Sequence, residues 1–402
     1  MRIRSITIFD GEPLEPIEQR VARAGALANT IRKHLNGLGY EVQTTRVAFP
    51  PIHEWAIPNT LLAIARRFDE SVGASGIDYI SLGPISCDAS SGDIEMLQIL
   101  PGIIAATRNV FASAFITGMD GTLLTGTMPF IAATIKEIAK STENGFGNLR
   151  FAALANCAAG IPFFPAAYAK KGEISFALAT EAASLAVEAC HNADSTNGAM
   201  EALQHAIETH AHKIEPAMLA VAHESKSNFL GIDWSLATHP DEACSIGAAL
   251  EALSGAPVGQ WGTLTAVAAL TRAIKRAAVR KTGFCGVFLP VMEDAVLARR
   301  TEKGSCDLPR LLLYSAVCGT GLDTIPLPGD VSTESISALL ADVATLSVVL
   351  DKPMTVRLMP IPGLQPGEKT RFDFPYLVNT GALDLNGAAK KLMRDSSISL
   401  KI

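Results

Sequence analysis

The sequence predicts an α/β protein built on one closed or strongly curved, largely parallel sheet. Short apolar runs alternate with longer segments of helical spacing from end to end, the pattern of strand–helix–strand units. The strand-like runs are too apolar to be half exposed, as strands buried on both faces are. No Gly/Ser- or Pro-rich linker separates two halves, and no repeat of roughly 20 to 50 residues is visible. A single domain over residues 1–402 is therefore expected.

Arg2–Phe9 reads as a strand, and Ile17–Leu38 has helical spacing and stops at Gly39. Glu41–Val47 is a second strand; Pro50-Pro51 breaks the chain before a helix at about Thr60–Val72. Ile77–Leu82 and Val110–Ile116 read as the third and fourth strands, with a helix around Ile94–Thr107 between them. Leu149–Ala155, Phe229–Asp233, Cys285–Leu289 and Thr355–Leu358 read as further buried strands. Ala-rich helices are expected over Phe176–Cys190, Ala199–His212, Thr263–Val279 and Ser335–Leu350. The stretch RFDFPYLVNTGALDL reads as an appended antiparallel hairpin at about 370–385.

Composition narrows the class of partner. Hydrophobic residues make up 48% and charged ones 18%, with a mean hydropathy of +0.25. That balance implies deep burial or a sizeable interface, so a homo-oligomer is expected. Net charge is −6, and the basic clusters Arg299-Arg300 and Lys275-Arg276 are short, which argues against nucleic acid. No run reaches the roughly 18 apolar residues of a membrane span, and ISALLADVATLSVVL carries Asp342. The start, MRIRSITIFDGEP, alternates like a strand and lacks the apolar core of a signal peptide, so a cytoplasmic protein is expected. None of the seven cysteines is paired at two-residue spacing, so no metal and no cofactor is expected and most thiols read as buried apolar groups. His205, His210 and His212 share a helix, but without the spacing that usually holds zinc.

Strand ends carry the candidate site, because ligands of α/β sheets gather at carboxyl ends. The segment LLLYSAVCGTGLDTIPLPGD places Cys318, Thr320 and Asp323 within six residues, with glycines that permit a tight turn. The competing reading is a core cysteine followed by a turn. Asp233, Ser235 and His239 follow one strand; Asp233 is a base or anchor there and His239 a group titrating near neutrality, unless Asp233 and Asp241 serve as turn and helix caps. In PVMED, one of Glu293 and Asp294 can cap the next helix while the other stays free for chemistry. Asn156 stands at another strand end, ahead of PFFP, whose phenylalanines read as core packing. Arg357, in TVRLMP, is suited to hold a carboxylate or phosphate.

An ordered string of blocks carries a resemblance: ANCAAGIPFFPAAY, GIDWSLATHP, SIGAALEAL, WGTLTAVAALTRAIK, GFCGVFLPVMED, SAVCGTGLDTIPLPGD and KPMTVRLMPIPG. Together they resemble the uncharacterised protein family 0210, also known as domain of unknown function 711, over nearly the whole chain. The resemblance implies an architecture like that of pyruvate formate-lyase and other glycyl-radical enzymes, an α/β barrel of about ten strands. It also places Cys318, Asp233, Ser235, Glu293, Asp294 and Asp323 in family blocks. Glycyl-radical enzymes need a C-terminal Arg-Val-x-Gly-Tyr type motif; NTGALDLNGAAKK offers Gly381 and Gly387 without it, so radical chemistry is not expected.

The expected function is that of a non-radical enzyme, of hydrolase, lyase or isomerase type, acting on a small polar or anionic metabolite inside the barrel. Cys318, Asp323, Asp233, His239 and Glu293 are the catalytic candidates, and Asn156, Ser235, Thr320 and Arg357 the binding ones. A metabolite-binding regulator using the same pocket without turnover is the alternative.

Overall fold

Strand β1 (Arg2–Asp10) divides its side chains between two buried layers. Ile6 and Ile8 join Val21, Ala24 and Ala28 of helix α1 (Ile17–Gly37) in the main core. Thr7 and Phe9 face the opposite side of the sheet. The buried positions of α1, Ile17, Val21, Ala24, Ala28, Ile31 and Leu35, recur every three or four residues, so one stripe packs on the sheet. A computed structural model describes residues 1–12, 16–87, 91–389 and 391–400 of the chain.

The same unit then repeats: β2 (Val42–Ala48), α2 (Pro58–Ser71), β3 (Tyr79–Ile85), α3 (Ser91–Ala106) and β4 (Val110–Phe115). A two-residue strand β5 (Thr122–Leu123) and α4 (Met128–Ser141) lead to β6 (Phe151–Ala155). Next come β7 (Ile174–Glu181), α5 (Ala183–Asn192), α6 (Thr196–Ser225), β8 (Asn228–Asp233), α7 (Ile246–Ser254) and α8 (Thr263–Arg276). The last third holds α9 (Ala295–Glu302), α10 (Leu308–Ser315), β9 (Gly321–Pro328), α11 (Thr333–Val349) and β10 (Met354–Ile361), and β11 (Ile398–Ser399) pairs with β5.

Nine strands form one sheet in the order β8-β7-β1-β2-β3-β4-β6-β10-β9. Neighbours are parallel except at β1–β7 and β6–β10. The sheet is mixed α/β and surrounded by helices, as the alternation predicts, but it is not a closed barrel. Among the described residues, its edge strands β8 and β9 are linked by the stretch around 281–290, which makes isolated bridges Lys281–Ile232, Val287–Leu236 and Pro290–Asp323 rather than a ladder. Cys285–Leu289 is therefore not a strand. Gly283 and Cys285 both adopt positive φ, at +73° and +46°, which turns the chain out of the extended form that a ladder requires.

Two more elements depart from expectation. Phe176–Cys190 is not one helix but β7 followed by α5, because pairing with β1 and β8 holds Phe176–Ala179 extended despite their Ala-rich surroundings. Ala199–His212 falls in the amino-terminal part of a longer helix, α6, which continues past Pro216 to Ser225.

One face of the sheet is covered by helices and the other by the chain itself. Residues 157–169, following β6, run across the second face. There Thr7 Oγ1 donates to Pro162 O at 2.8 Å, Ser81 Oγ to Ala167 O at 2.8 Å, and the Ala169 N–H to Phe49 O at 3.1 Å. The sheet residues beneath are small: Ala48, Ala152, Ala177 and Ala179 lie buried on this side, with Ser5 and Ser81. Small side chains let a crossing backbone approach, and their hydroxyls satisfy its carbonyls. After β10, Thr370 and Thr380 pair through their backbones, and Asn379 Oδ1 accepts from the Phe372 N–H at 2.7 Å. Asn379 thereby fixes the loop 372–377 between them.

Candidate functional site

Between this crossing segment, the sheet and the 372–377 loop lies a cavity of about 1080 Å³, counting its open mouth. It lies over the amino-terminal parts of β1, β3, β4 and β6 and the middle of β2, not their carboxyl ends. Arg4 comes from β1, Thr44 and Arg46 from β2, Tyr79 opens β3, and Phe111 and Ala152 are second in β4 and β6. The physical reason is topological. The antiparallel junction β1–β7 reverses β7 and β8, so the carboxyl end of β8 delivers Ala237 and Thr238 to the amino ends of β1–β4.

Three guanidinium groups, Arg4, Arg46 and Arg357, line the cavity with two carboxylates, Glu293 and Asp323. Arg357 is buried and donates from Nε to Asp323 at 2.6 Å and from Nη2 to Glu293 at 2.7 Å. Burial alone would depress its pKa, but the two carboxylates outweigh that and hold it above the usual value. Arg4 grips the other oxygen of Glu293 at 3.1 Å and shares Glu181 with Arg2. The carboxylates are thus committed to Arg4 and Arg357. Arg46 is left over.

The Arg46 side chain reaches no carboxylate among the described residues; its Nε donates to Thr44 Oγ1 at 3.0 Å. Its guanidinium instead lies 5.8 Å from the Tyr79 ring centre and 5.2 Å from that of Phe164. Burial, with Arg4 and Arg357 nearby, pulls its pKa down to about 9. Stacking on ring faces leaves the N–H edge of a guanidinium available for a second, in-plane partner.

Of the residues expected from sequence, Glu293, Asp323, Thr320 and Arg357 line this cavity. The Thr320 hydroxyl has no partner among the described residues. Arg357 is occupied by the protein's own carboxylates rather than left open for a ligand. Asp294, next to Glu293, caps α9 through the Val296 and Leu297 N–H groups and also holds the Ile246 N–H at 2.6 Å. The neighbouring pair therefore divides its duties.

Cys318, Asp233, Ser235, His239 and Asn156 are not among the lining residues. Asp233 is fully buried and holds a turn: it accepts from the Phe284 N–H at 2.7 Å, the Cys285 N–H at 2.9 Å, and the Ser235 N–H and hydroxyl at 3.1 and 2.6 Å. A Cβ on Gly283 would stand 2.1 Å from its carboxylate, so this turn admits only glycine. Ser235 serves the same turn, its Oγ accepting from the Gly286 N–H. His239 lies 3.0 Å from Asp241 and meets Tyr376, a cavity residue, edge-on at 6.0 Å. It stands behind the lining. Asn156 donates to Ser347 O at 3.0 Å. Among the described residues, no group of three or more His, Cys, Asp or Glu is placed to hold a metal ion.

Cys318 belongs to the main core, and its sulfur accepts the Gly321 N–H at 3.4 Å. The glycines beside it serve packing: Gly319 touches the backbone of Gly286, and its N–H donates to Val287 O at 2.7 Å. All seven cysteines are free, and Cys244 alone is partly exposed. A small thiol reagent is therefore expected to modify one cysteine in the native protein, and Cys244→Ser to remove that reaction. A rapid second equivalent that disappears in Cys318→Ser would restore the nucleophile reading of Cys318.

Arg4, Arg46, Tyr79 and Tyr376 escape the strand-end reading. For the two arginines a signal was present, as charges inside otherwise apolar strands in RIRSITIF and TTRVAF, where an arginine on an inward-facing position implies a polar interior.

Fold and site together define an α/β protein with an arginine-rich, aromatic-walled interior cavity. The chain belongs to the family described as "Uncharacterised ACR (DUF711)", whose model matches residues 2–379, a span that encloses every lining residue from Arg4 to Leu377. Similar proteins include the UPF0210 protein of Pyrobaculum islandicum, 30% identical over 371 residues, covering 89% of this chain and 80% of that one. The UPF0210 protein of Desulforudis audaxviator is 32% identical over 355 residues, covering 85% and 78%. That of Carboxydothermus hydrogenoformans is 28% identical over 412 residues, covering 96% and 90%.

Proposed function

We propose that the cavity binds a small organic anion and that the protein is an enzyme acting on it by acid–base rather than radical chemistry. The observation that carries the reading is Arg46, a buried guanidinium that makes no ion pair with a carboxylate among the described residues while its neighbours Arg4 and Arg357 are paired. A bound carboxylate or phosphate would complete the charge balance and accept the free N–H edge. Glu293 borders the same space and is our candidate for exchanging a proton with the ligand; Thr320 adds a hydroxyl without a partner among the described residues.

A regulator that binds the same anion without turnover is the second reading. Its support is that both carboxylates are tied to arginines, which favours holding a ligand over changing it. Seven free thiols support a cytoplasmic location, and no helix among the described residues is long and apolar enough to cross a membrane.

Calorimetric titration with acetate, succinate, benzoate and inorganic phosphate tests the site. At least one is expected to bind, and Arg46→Met to weaken it by about thirtyfold or more, since removing one partner of a buried charge pair costs at least about 2 kcal/mol. Equal binding by the variant, or none by the native protein, would sink the proposal. Glu293→Gln separates the two readings: under the enzyme reading it binds but no longer turns the ligand over, whereas a regulator shows no turnover before the change.

A further inference from the structure

We infer that the anion is carried on a planar aromatic or heteroaromatic body, so that the ligand class is an aryl carboxylate or a close relative. The inference rests on the anion reading above and adds to it what surrounds the charge. Beyond the polar groups, the lining is dominated by rings rather than by Leu, Ile and Val.

Those rings fall into separate groups. Phe111 meets Tyr79 and Phe164 edge-on, each at 5.2 Å, and this group carries Arg46 on its faces. Phe288 lies 4.6 Å from Phe163 and edge-on to Phe284 at 5.8 Å. Phe374 and Tyr376 come from the 372–377 loop, and Tyr376 also meets Arg4. These groups line one cavity without any ring contact between the Phe111 and Phe288 groups. Several of these rings also belong to buried clusters, so packing accounts for their presence but not for the open space that they share. Separate ring groups facing a shared space instead match the faces and edges of a flat ligand.

The charge sits where such a ligand would need it. Arg46 is stacked on Tyr79 and Phe164, so a carboxylate meeting its N–H edge lies near the plane of the guanidinium. The body of the ligand would then extend from that edge into the ring-lined space. An aliphatic acid would fill the volume but would lose the edge-to-face contacts.

The test compares binding of benzoate, indole-3-carboxylate, cyclohexanecarboxylate, acetate and inorganic phosphate to the native protein by calorimetry. Cyclohexanecarboxylate matches benzoate in charge and approximate size but is neither flat nor aromatic. Expected is at least one aryl acid binding about tenfold or more tighter than cyclohexanecarboxylate, with the binding lost in Arg46→Met. Phe288→Leu, which leaves the Arg46 stack untouched, should shrink that preference. If cyclohexanecarboxylate, acetate or phosphate binds as well as the aryl acids and needs Arg46, the aromatic inference is overturned and the anion reading stands. If nothing binds, or binding ignores Arg46, both are overturned.

Discussion

Replacing Arg357 by methionine should cost about 4 kcal/mol of stability, the scale expected when one partner of a buried charge pair is removed. The loss falls mainly on Asp323, whose carboxylate has no other side-chain partner among the hydrogen bonds and ion pairs described, whereas Glu293 keeps Arg4. In the variant, an unpaired buried carboxylate favours the protonated form, so the folded state would take up a proton more readily than the unfolded chain. The sign follows: the cost is smallest in acid and grows as pH rises. Urea unfolding at about pH 4.5 and about pH 8 reads both the size and the slope. A second change, Asp323→Leu, made together with Arg357→Met, should recover most of the loss by removing the stranded charge. A loss below about 1 kcal/mol at the higher pH would mean that the network is solvated and weak.

Asp233→Asn is expected to act through pH as well as through contacts. Burial pushes the Asp233 carboxyl up to about 6 from its ordinary 3.8, against the pull of the Ser235, Phe284 and Cys285 donors. With the folded value the higher one, the native state favours the proton. The stabilising contribution is therefore present below about pH 4 and disappears as pH rises towards about 6, a swing of about 3 kcal/mol. Asparagine does not titrate, so the difference between wild-type and variant stability should change across that window. Asparagine also offers one acceptor where the turn uses both carboxylate oxygens, leaving a buried N–H of Phe284 or Cys285 unmet at a cost of about 1–3 kcal/mol. Relative to wild type, the variant should thus fare worst near about pH 4 and gain by about 3 kcal/mol as pH rises to about 7. A difference that stays constant with pH would show that Asp233 is ionised in the fold throughout.

How much of this was legible depends on what local sequence can encode. The first four strands and three helices announce themselves by period, because each buries a face of its own. Phe176–Cys190 does not, since ISFALATEAASLAVEAC is apolar at nearly every position and only pairing with β1 and β8 sets its first half extended. Gly321–Pro328 carries a glycine and two prolines and so reads as turn; it forms β9 because β10 accepts it in parallel register at the sheet edge. The site was half legible. Glu293, Asp323 and Arg357 sit near glycines and prolines that mark special backbone, whereas Arg46 sits mid-strand, and only the reversal of β7 and β8 brings a loop from β8 to the amino ends of β1–β4. Cys318 drew notice for its glycines, which prove to serve backbone packing against Gly286.

The segment that crosses the inner face of the sheet has a consequence for a chain still being synthesised. Strands β1–β4 can leave the ribosome with Arg4, Thr7 and Arg46 already in place, but Pro162, Phe164 and Ala167 arrive later to cover them. The partners of Arg4 come later still, at Glu181 and Glu293, and the wall is finished only at Leu377. Contacts so distant in sequence form late, after the loops between them have closed. A polypeptide that stops anywhere short of residue 377 can hold much of the sheet yet has an incomplete cavity. Ligand occupancy would therefore mark chains that have been made at least as far as Leu377, and products truncated before it would bind none.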